Sequence, residues 1–185
     1  MRTPYTLLID VQDSRWQGDL CDSIRKAHRG FYEWLQIDYD TCHEILEHNP
    51  HLRKSPDVPS QECDPQQWHD HEVSLMLSND VTIQPLNARW RGKDSPTDVL
   101  AFPQPQAPHH AGMPIMMGDI IMAYETVTHD AKVLQRDVAQ HVSHIFLHGL
   151  LHLLGYDHQT TVMREAMEPL EIAALAHLAI ENPYR

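Results

Sequence analysis

The chain has 185 residues and a formal net charge of -12, with 26 acidic side chains against 14 lysines and arginines. This length suits one domain, so residues 1–185 are expected to form a single domain whose core needs no disulfide staples. The acidic balance excludes a general nucleic-acid coat protein, because phosphate binding draws on clustered lysine and arginine. Any RNA contact must therefore use a local basic patch.

The cysteine content and the hydropathy of the chain indicate its cellular compartment. Cys21, Cys42 and Cys63 are odd in number and form no CxxC pair, so neither a disulfide framework nor a cysteine zinc site is indicated. The N-terminus has only a short apolar run before Asp10, and no later stretch approaches the roughly 20 apolar residues that cross a bilayer. We therefore expect a cytoplasmic protein with no membrane contact.

The N-terminal third of the chain predicts one strand, one helix and a long connection. Apolar and polar residues alternate over 5–11, which predicts a first strand ending near Asp13. Apolar residues then recur at helical intervals over 20–35, typical of an amphipathic helix packed on a sheet. The polar, proline-dotted segment 38–70 predicts a surface excursion, with a short helix at 41–48.

The next segment predicts a strand followed by a helix. Alternation at residues 73–77 favours a second strand. The helix that follows contains Pro85, which is tolerated in the first turn, so Thr82 is preferred over Asp80 as its N-cap. Gly92 marks its end.

The C-terminal half predicts two more strands and three helices. Strands are expected at 98–102 and 118–123, and helices at 125–135, at 137–154 and, after His158, in a final segment that ends near Asn182. Strands and helices alternate imperfectly, and no internal repeat is visible. The predicted class is α+β, with a small mixed four-stranded sheet and helices.

The sequence HGLLHLLGYDH, residues 148–158, contains the candidate metal ligands. His148 and His152 are spaced i, i+4 and therefore share one helix face, as in the two-histidine helices of zinc hydrolases. Gly155 can end that helix in a left-handed conformation, which brings His158 back to the same point. Three imidazoles without a fourth protein ligand predict a catalytic zinc site holding one Zn²⁺ per chain.

The same helix carries one polar stripe. His141 and His144 fall on the face of His148 and His152, and apolar residues occupy the other directions. His144 is expected to support a ligand or to face the substrate, whereas His141 is expected to be an ordinary solvated or core histidine. Asp157, beside the third ligand, is expected to orient an imidazole, although it could instead take a proton from water on the metal.

Three sequence blocks together carry a family resemblance. HGLLHLLGYDH, LNARWRGKDSPTDVLAFP at 86–103 and GDI at 118–120 resemble, in order and separation, the YbeY family of metal-dependent endoribonucleases that act in ribosomal RNA maturation. The resemblance covers about half of the chain. It implies a zinc-dependent single-strand endoribonuclease, with a zincin-like metal helix, that acts in ribosomal RNA processing and ribosome quality control. The implied partners are ribosomal RNA, ribosomal particles and a ribosomal protein or assembly GTPase.

The resemblance also implies site residues. It makes the three histidines of the motif the zinc ligands and makes Arg91 a catalytic arginine that faces the metal. A guanidinium is a planar, permanently charged fork that matches phosphate oxygens and can stabilise the transition state. Arg89 and Lys93 flank it as RNA-binding residues or as solvated charges. Two departures from the family are Ala101, where serine is common, and the long 38–70 excursion.

Two other functions remain open from the sequence. A zincin-type metalloprotease shares the HxxxHxxGxxH frame but needs a glutamate directly after the first histidine, where this chain has Gly149. A non-catalytic, zinc-stabilised ribosome-assembly factor is disfavoured by the missing fourth ligand. The favoured mechanism is phosphodiester hydrolysis at the open zinc position, where zinc lowers the pKa of water to about 7 or polarises a phosphate oxygen.

Overall fold

The computed structural model describes residues 5–37, 71–104 and 114–185. The strands are β1 (Tyr5–Val11), β2 (His71–Ser78), β3 (Val99–Pro103) and β4 (Ile115–Ala123). The helices are α1 (Asp19–Ile37), α2 (Asp80–Arg91), α3 (Tyr124–Val133), α4 (Val138–Leu153) and α5 (Thr161–His177), with a 3₁₀ turn at Ser14–Trp16. This is the predicted α+β class. Among the described helices, none combines the length and apolar character that crossing a bilayer requires.

The four strands form one mixed sheet in the order β1-β2-β4-β3. β1, β2 and β4 run parallel, whereas β3 pairs antiparallel with β4 and forms an edge. The predicted small mixed sheet is confirmed. β4 begins at Ile115, earlier than the predicted Gly118, because its first residues still pair with the start of β2.

The two faces of the sheet support different layers. Side chains alternate along β3, so Val99 joins the large core on one face and Leu100 joins a small cluster on the other. The large core includes buried residues of α1, α4 and α5, and the small cluster includes Ile83 of α2. α4 is therefore held between the sheet and two other helices, while α2 covers the opposite face.

The start of α2 differs from its prediction. Its N-cap is Asn79, whose side chain accepts a hydrogen bond from the Thr82 amide at 3.0 Å, so the prediction of a Thr82 cap was wrong. Asp80 adds a second support, because its carboxylate accepts a 2.7 Å hydrogen bond from the Thr126 hydroxyl. Pro85 consequently lies in the second turn. The carbonyl it leaves without a helical donor belongs to Val81, whose side chain is exposed, so water can replace that bond.

The remaining boundaries follow the predictions closely, with one exception. α4 is capped by Asp137, which accepts from the Gln140 amide at 3.0 Å, and Gly155 follows it with a φ of 89°. The exception is α5, which ends at His177 rather than near residue 182. The predicted 38–70 excursion and its short helix lie outside the described residues, and the single-domain prediction stays a prediction.

Candidate metal centre

Two of the metal-site histidines, His148 and His152, lie on α4, which is buried on its remaining sides. Phe146, Leu147 and Leu150 of α4 are buried in the core, and Gly149 faces β4 so closely that an added Cβ would lie 3.3 Å from Ile120. His148 is only partly buried. The burial pattern confirms the predicted polar stripe on a buried helix.

Three imidazoles converge at the end of α4. The Nε2 atoms of His148 and His152 lie 3.1 Å apart, and the ring of His158 lies 5.0 and 5.2 Å from their rings, centroid to centroid. One ligand atom from each of the three residues lies within 4.8 Å of the other two. Gly155 makes this possible, because its left-handed φ turns the chain back after α4.

The donor set fits a metal ion. The His152 Nδ1 lies 2.8 Å from the Tyr156 carbonyl, so it donates a proton there and leaves Nε2 free as a ligand. The His148 Nδ1 faces Glu171 Oε1 at 3.3 Å, so the carboxylate lies on the Nδ1 side of the ring and leaves its Nε2 free. Zinc–nitrogen bonds of about 2.1 Å place tetrahedral ligand atoms roughly 3.4 Å apart, close to the observed Nε2 separation. The three histidines can therefore hold a metal.

Burial and neighbouring charges favour the neutral, metal-binding form of two of the rings. Burial, aided by His148, lowers the pKa of His152 to about 4. Burial and His148 also lower the pKa of His158, and the Arg91 charge adds to that effect. Because imidazole binds a metal only when deprotonated, these shifts favour the ligand form of His152 and His158.

Glu171 of α5 is a site residue that the sequence analysis missed. Its side chain is fully buried, and its Oε1 lies 2.8 Å from His144 Nε2 and 3.3 Å from His148 Nδ1, off the line of a regular hydrogen bond to either ring. Its Oε2 accepts a hydrogen bond from the Tyr184 hydroxyl. Burial acts to raise the pKa of Glu171, but the two histidine contacts outweigh it and hold that pKa well below its usual range. A buried carboxylate thus stands behind the His148 ring.

A sequence signal for Glu171 did exist. It directly follows Leu170 and lies one turn after Met167, and both are apolar residues that are buried in α5. A carboxylate on the buried side of a helix is seldom tolerated without a partner. This spacing could have indicated that Glu171 needs a partner, but not that His144 and His148 supply it.

The other predicted site residues on this side have distinct surroundings. His144 contacts Glu171 behind the ligands, where a supporting role remains a prediction. His141 is 4% exposed, and neither ring nitrogen has a hydrogen-bond partner among the described residues. Asp157 accepts from the His158 amide and the Gln159 side chain, both at 2.7 Å, and so shapes the turn that delivers His158. Its predicted role in orienting an imidazole stays a prediction.

The end of α2 brings positive charge towards the three histidines. Arg91 is the last residue of α2, is exposed, and has no ion-pair partner within the described parts of the chain. Gly92 closes the helix with a φ of 70°, and the Asn87 side chain donates to the Ser95 carbonyl at 2.8 Å, which fixes the following turn. Since the Arg91 charge acts on His158, an anion at the metal would lie within its influence.

Comparison with known proteins agrees with this geometry. A protein named Endoribonuclease YbeY from Bradyrhizobium sp. is 47% identical over 118 residues, which covers 62% of this chain and 70% of the relative. One from Rhodopseudomonas palustris is 48% identical over 117 residues, covering 62% and 68%. A solution structure from Thermotoga maritima is 19% identical and covers 95% of this chain and 91% of that one, with a TM-score of 0.44, too low to carry an argument.

The family assignment rests on a longer match. The family described as Endoribonuclease YbeY matches residues 43–179, well over half of the chain and including the α2 end, α4 and all three histidines. The chain therefore belongs to the YbeY family of endoribonucleases.

Proposed function

We propose that this protein is a zinc-dependent single-strand endoribonuclease acting in ribosomal RNA processing and ribosome quality control, with one Zn²⁺ held by His148, His152 and His158. The observation that carries the proposal is the convergence of three imidazoles close enough for the Arg91 charge to act on one of them. Imidazole donors suit zinc, and the names of the relatives support an RNA substrate. The proposed partners are ribosomal RNA and ribosomal particles in the cytoplasm, with a ribosomal protein or assembly GTPase as a further contact.

Each residue around the site has a defined task in this proposal. Zinc, when bound, would supply a Lewis acid for the scissile phosphodiester. The Tyr156 carbonyl and the Glu171 carboxylate hold two ligand rings with Nε2 forward, so the ligands are oriented before the ion arrives. Arg91 would bind the non-bridging phosphate oxygens and stabilise the charge that grows in the transition state. Arg89 and Lys93 would bind neighbouring phosphates.

Within the described residues, no carboxylate occupies the place that the protease alternative requires. Gly149 occupies the position of the general base, and an added Cβ there would lie 3.3 Å from Ile120, a tight contact. Glu171 is the carboxylate that contacts a ligand ring, but it lies on the Nδ1 side of His148, away from the converging Nε2 atoms. It therefore cannot act on water at the open side of the metal.

Cleavage of two unlike polymers tests the proposal. Zinc-loaded protein is incubated with structured ribosomal RNA and, separately, with casein, and the native chain is compared with His148→Ala and with the control His141→Ala. We expect RNA cleavage by the native chain and by His141→Ala but not by His148→Ala, with casein intact. His148-dependent casein cleavage would establish the protease instead. Zinc binding and ribosome association without cleavage of either polymer would establish the assembly factor.

A further inference from the structure

Trp90 is exposed, unlike the two other tryptophans among the described residues. Trp90 is 60% exposed, whereas Trp16 and Trp34 are 0% and 2% exposed. A large aromatic surface left in water is costly unless it serves a contact, so Trp90 calls for a partner. We define the α2 tip as residues 89–93, the segment in which Trp90 lies.

The α2 tip is strongly basic in an acidic chain. It contains Arg89, Arg91 and Lys93, three of only 14 lysines and arginines, while the whole chain carries -12. All three side chains are exposed. The cores of protein–protein interfaces are usually depleted of charged residues. Sites that bind single-stranded nucleic acids instead combine basic side chains with aromatic rings. The charge of the tip therefore favours a nucleic-acid partner for Trp90.

The Trp90 ring is held in a defined orientation. The Phe102 ring of β3 packs against it at 5.9 Å, centroid to centroid, with an interplanar angle of 66°. The Arg89 guanidinium lies over the same ring at 5.1 Å. A ring fixed in this way loses little conformational freedom on stacking, so its exposed area is available as a platform.

The platform adjoins the metal centre through the edge of the sheet. Trp90 directly precedes Arg91, whose charge reaches His158. Its neighbour Phe102 lies on the edge strand, and the Phe102 carbonyl and Leu153 both crowd the same point beside Gly118. Leu153 follows the ligand His152 directly, so the strand that supports Trp90 and the helix that carries two ligands meet beside Gly118.

We infer that Trp90 stacks on an unpaired nucleobase of single-stranded RNA, while the cations of the α2 tip bind the adjoining phosphates. The inference rests on the proposed function and deepens it, because it names a contact that selects the substrate. A base inside a duplex is covered by its neighbours above and below and cannot stack on a side chain. Trp90 thus favours unpaired segments beside the bond that is cut.

The test compares Trp90→Ala with Trp90→Tyr, which keeps an aromatic face, and with Val81→Ala. Val81 is a matched control, since it lies on the same helix at the opposite end and is 82% exposed. Affinity for an unstructured fluorescein-labelled RNA is measured by anisotropy in the cleavage-deficient His148→Ala background. KM and kcat are measured in zinc-loaded proteins that retain His148.

Trp90→Ala is expected to bind the RNA about tenfold more weakly, in line with the loss of one base–aromatic stack. KM should rise by a similar factor with a much smaller change in kcat, Trp90→Tyr should restore most of the affinity, and Val81→Ala should match the parent. An abasic nucleotide at the stacked position should erase the difference between Trp90 and Ala.

Unchanged RNA affinity in Trp90→Ala, with normal cleavage by the native protein, would overturn the stacking inference and leave the endoribonuclease proposal intact. Weaker binding in Trp90→Ala together with no cleavage by the native protein would support stacking and overturn the nuclease. An equal loss of affinity for fully paired RNA would overturn the selection of unpaired bases.

Discussion

The metal centre and the α2 tip serve one proposed reaction by opposite structural means. His148 and His152 project from a buried helix and His158 from the turn that follows it, and the fully buried Glu171 stands behind His148. Arg91 and Trp90 project into solvent. The C-cap at Gly92 directly follows Arg91, and the Phe102 ring packs against Trp90. Changes at the first region should therefore act on metal binding, whereas changes at the second should act on RNA and leave the metal in place.

The largest effect should come from His152→Ala. Removing one of three converging ligands leaves two nitrogens, so the variant should retain almost no zinc after dialysis against a mild chelator. His141→Ala, on the same helix face but outside the cluster, should retain one equivalent. Elemental analysis of both proteins is the measurement. Equal zinc contents in the two variants would mean that the ion is held elsewhere.

Arg91→Ala should give the next largest effect, confined to activity. Loss of a charge that stabilises the transition state typically costs about 100-fold or more in kcat, and the exposed position predicts no change in melting temperature or zinc content. Arg91→Lys should recover little, because a point charge does not replace a bidentate fork. A fully active lysine variant would remove the bidentate argument. Zinc loss in Arg91→Ala would reassign the residue to the fold.

Glu171→Gln should produce a smaller effect, and that effect should be on metal binding. Weakening the carboxylate behind His148 should lower zinc affinity about 10- to 100-fold, as measured by competition with a chromogenic chelator. Glu168→Gln is the matched control, because Glu168 lies on the same helix but pairs with Arg164 at 3.8 Å, away from the ligands. If both variants bind zinc as the native chain does, Glu171 has no part in holding the ion.

The same contrast explains how much of the site could be predicted from sequence. The convergence of His148, His152 and His158 follows from local spacing and a helix-ending glycine, so it could be read from eleven consecutive residues. The contact between Glu171 and His148 depends on how α5 docks on α4, which no local pattern encodes. The closeness of Arg91 to His158 was implied by family resemblance alone.

The fold class and the small mixed sheet were predicted correctly, but the N-cap of α2 was misplaced for a related reason. The cap depends on Asn79 and on the bond between Asp80 and Thr126, a residue far along the chain. Propensity correctly disfavours Pro85 inside a helix, yet these contacts place the cap at Asn79.

The central claim is that one metal ion, bound by the three histidines, is required for RNA cleavage. The most direct measurement is cleavage of ribosomal RNA by metal-free protein during titration with zinc, followed alongside zinc binding. We expect no cleavage without metal, a rise in proportion to bound zinc, and saturation at one equivalent per chain, with His148→Ala inactive throughout. Full cleavage by the metal-free protein, or cleavage that persists in His148→Ala, would contradict the account.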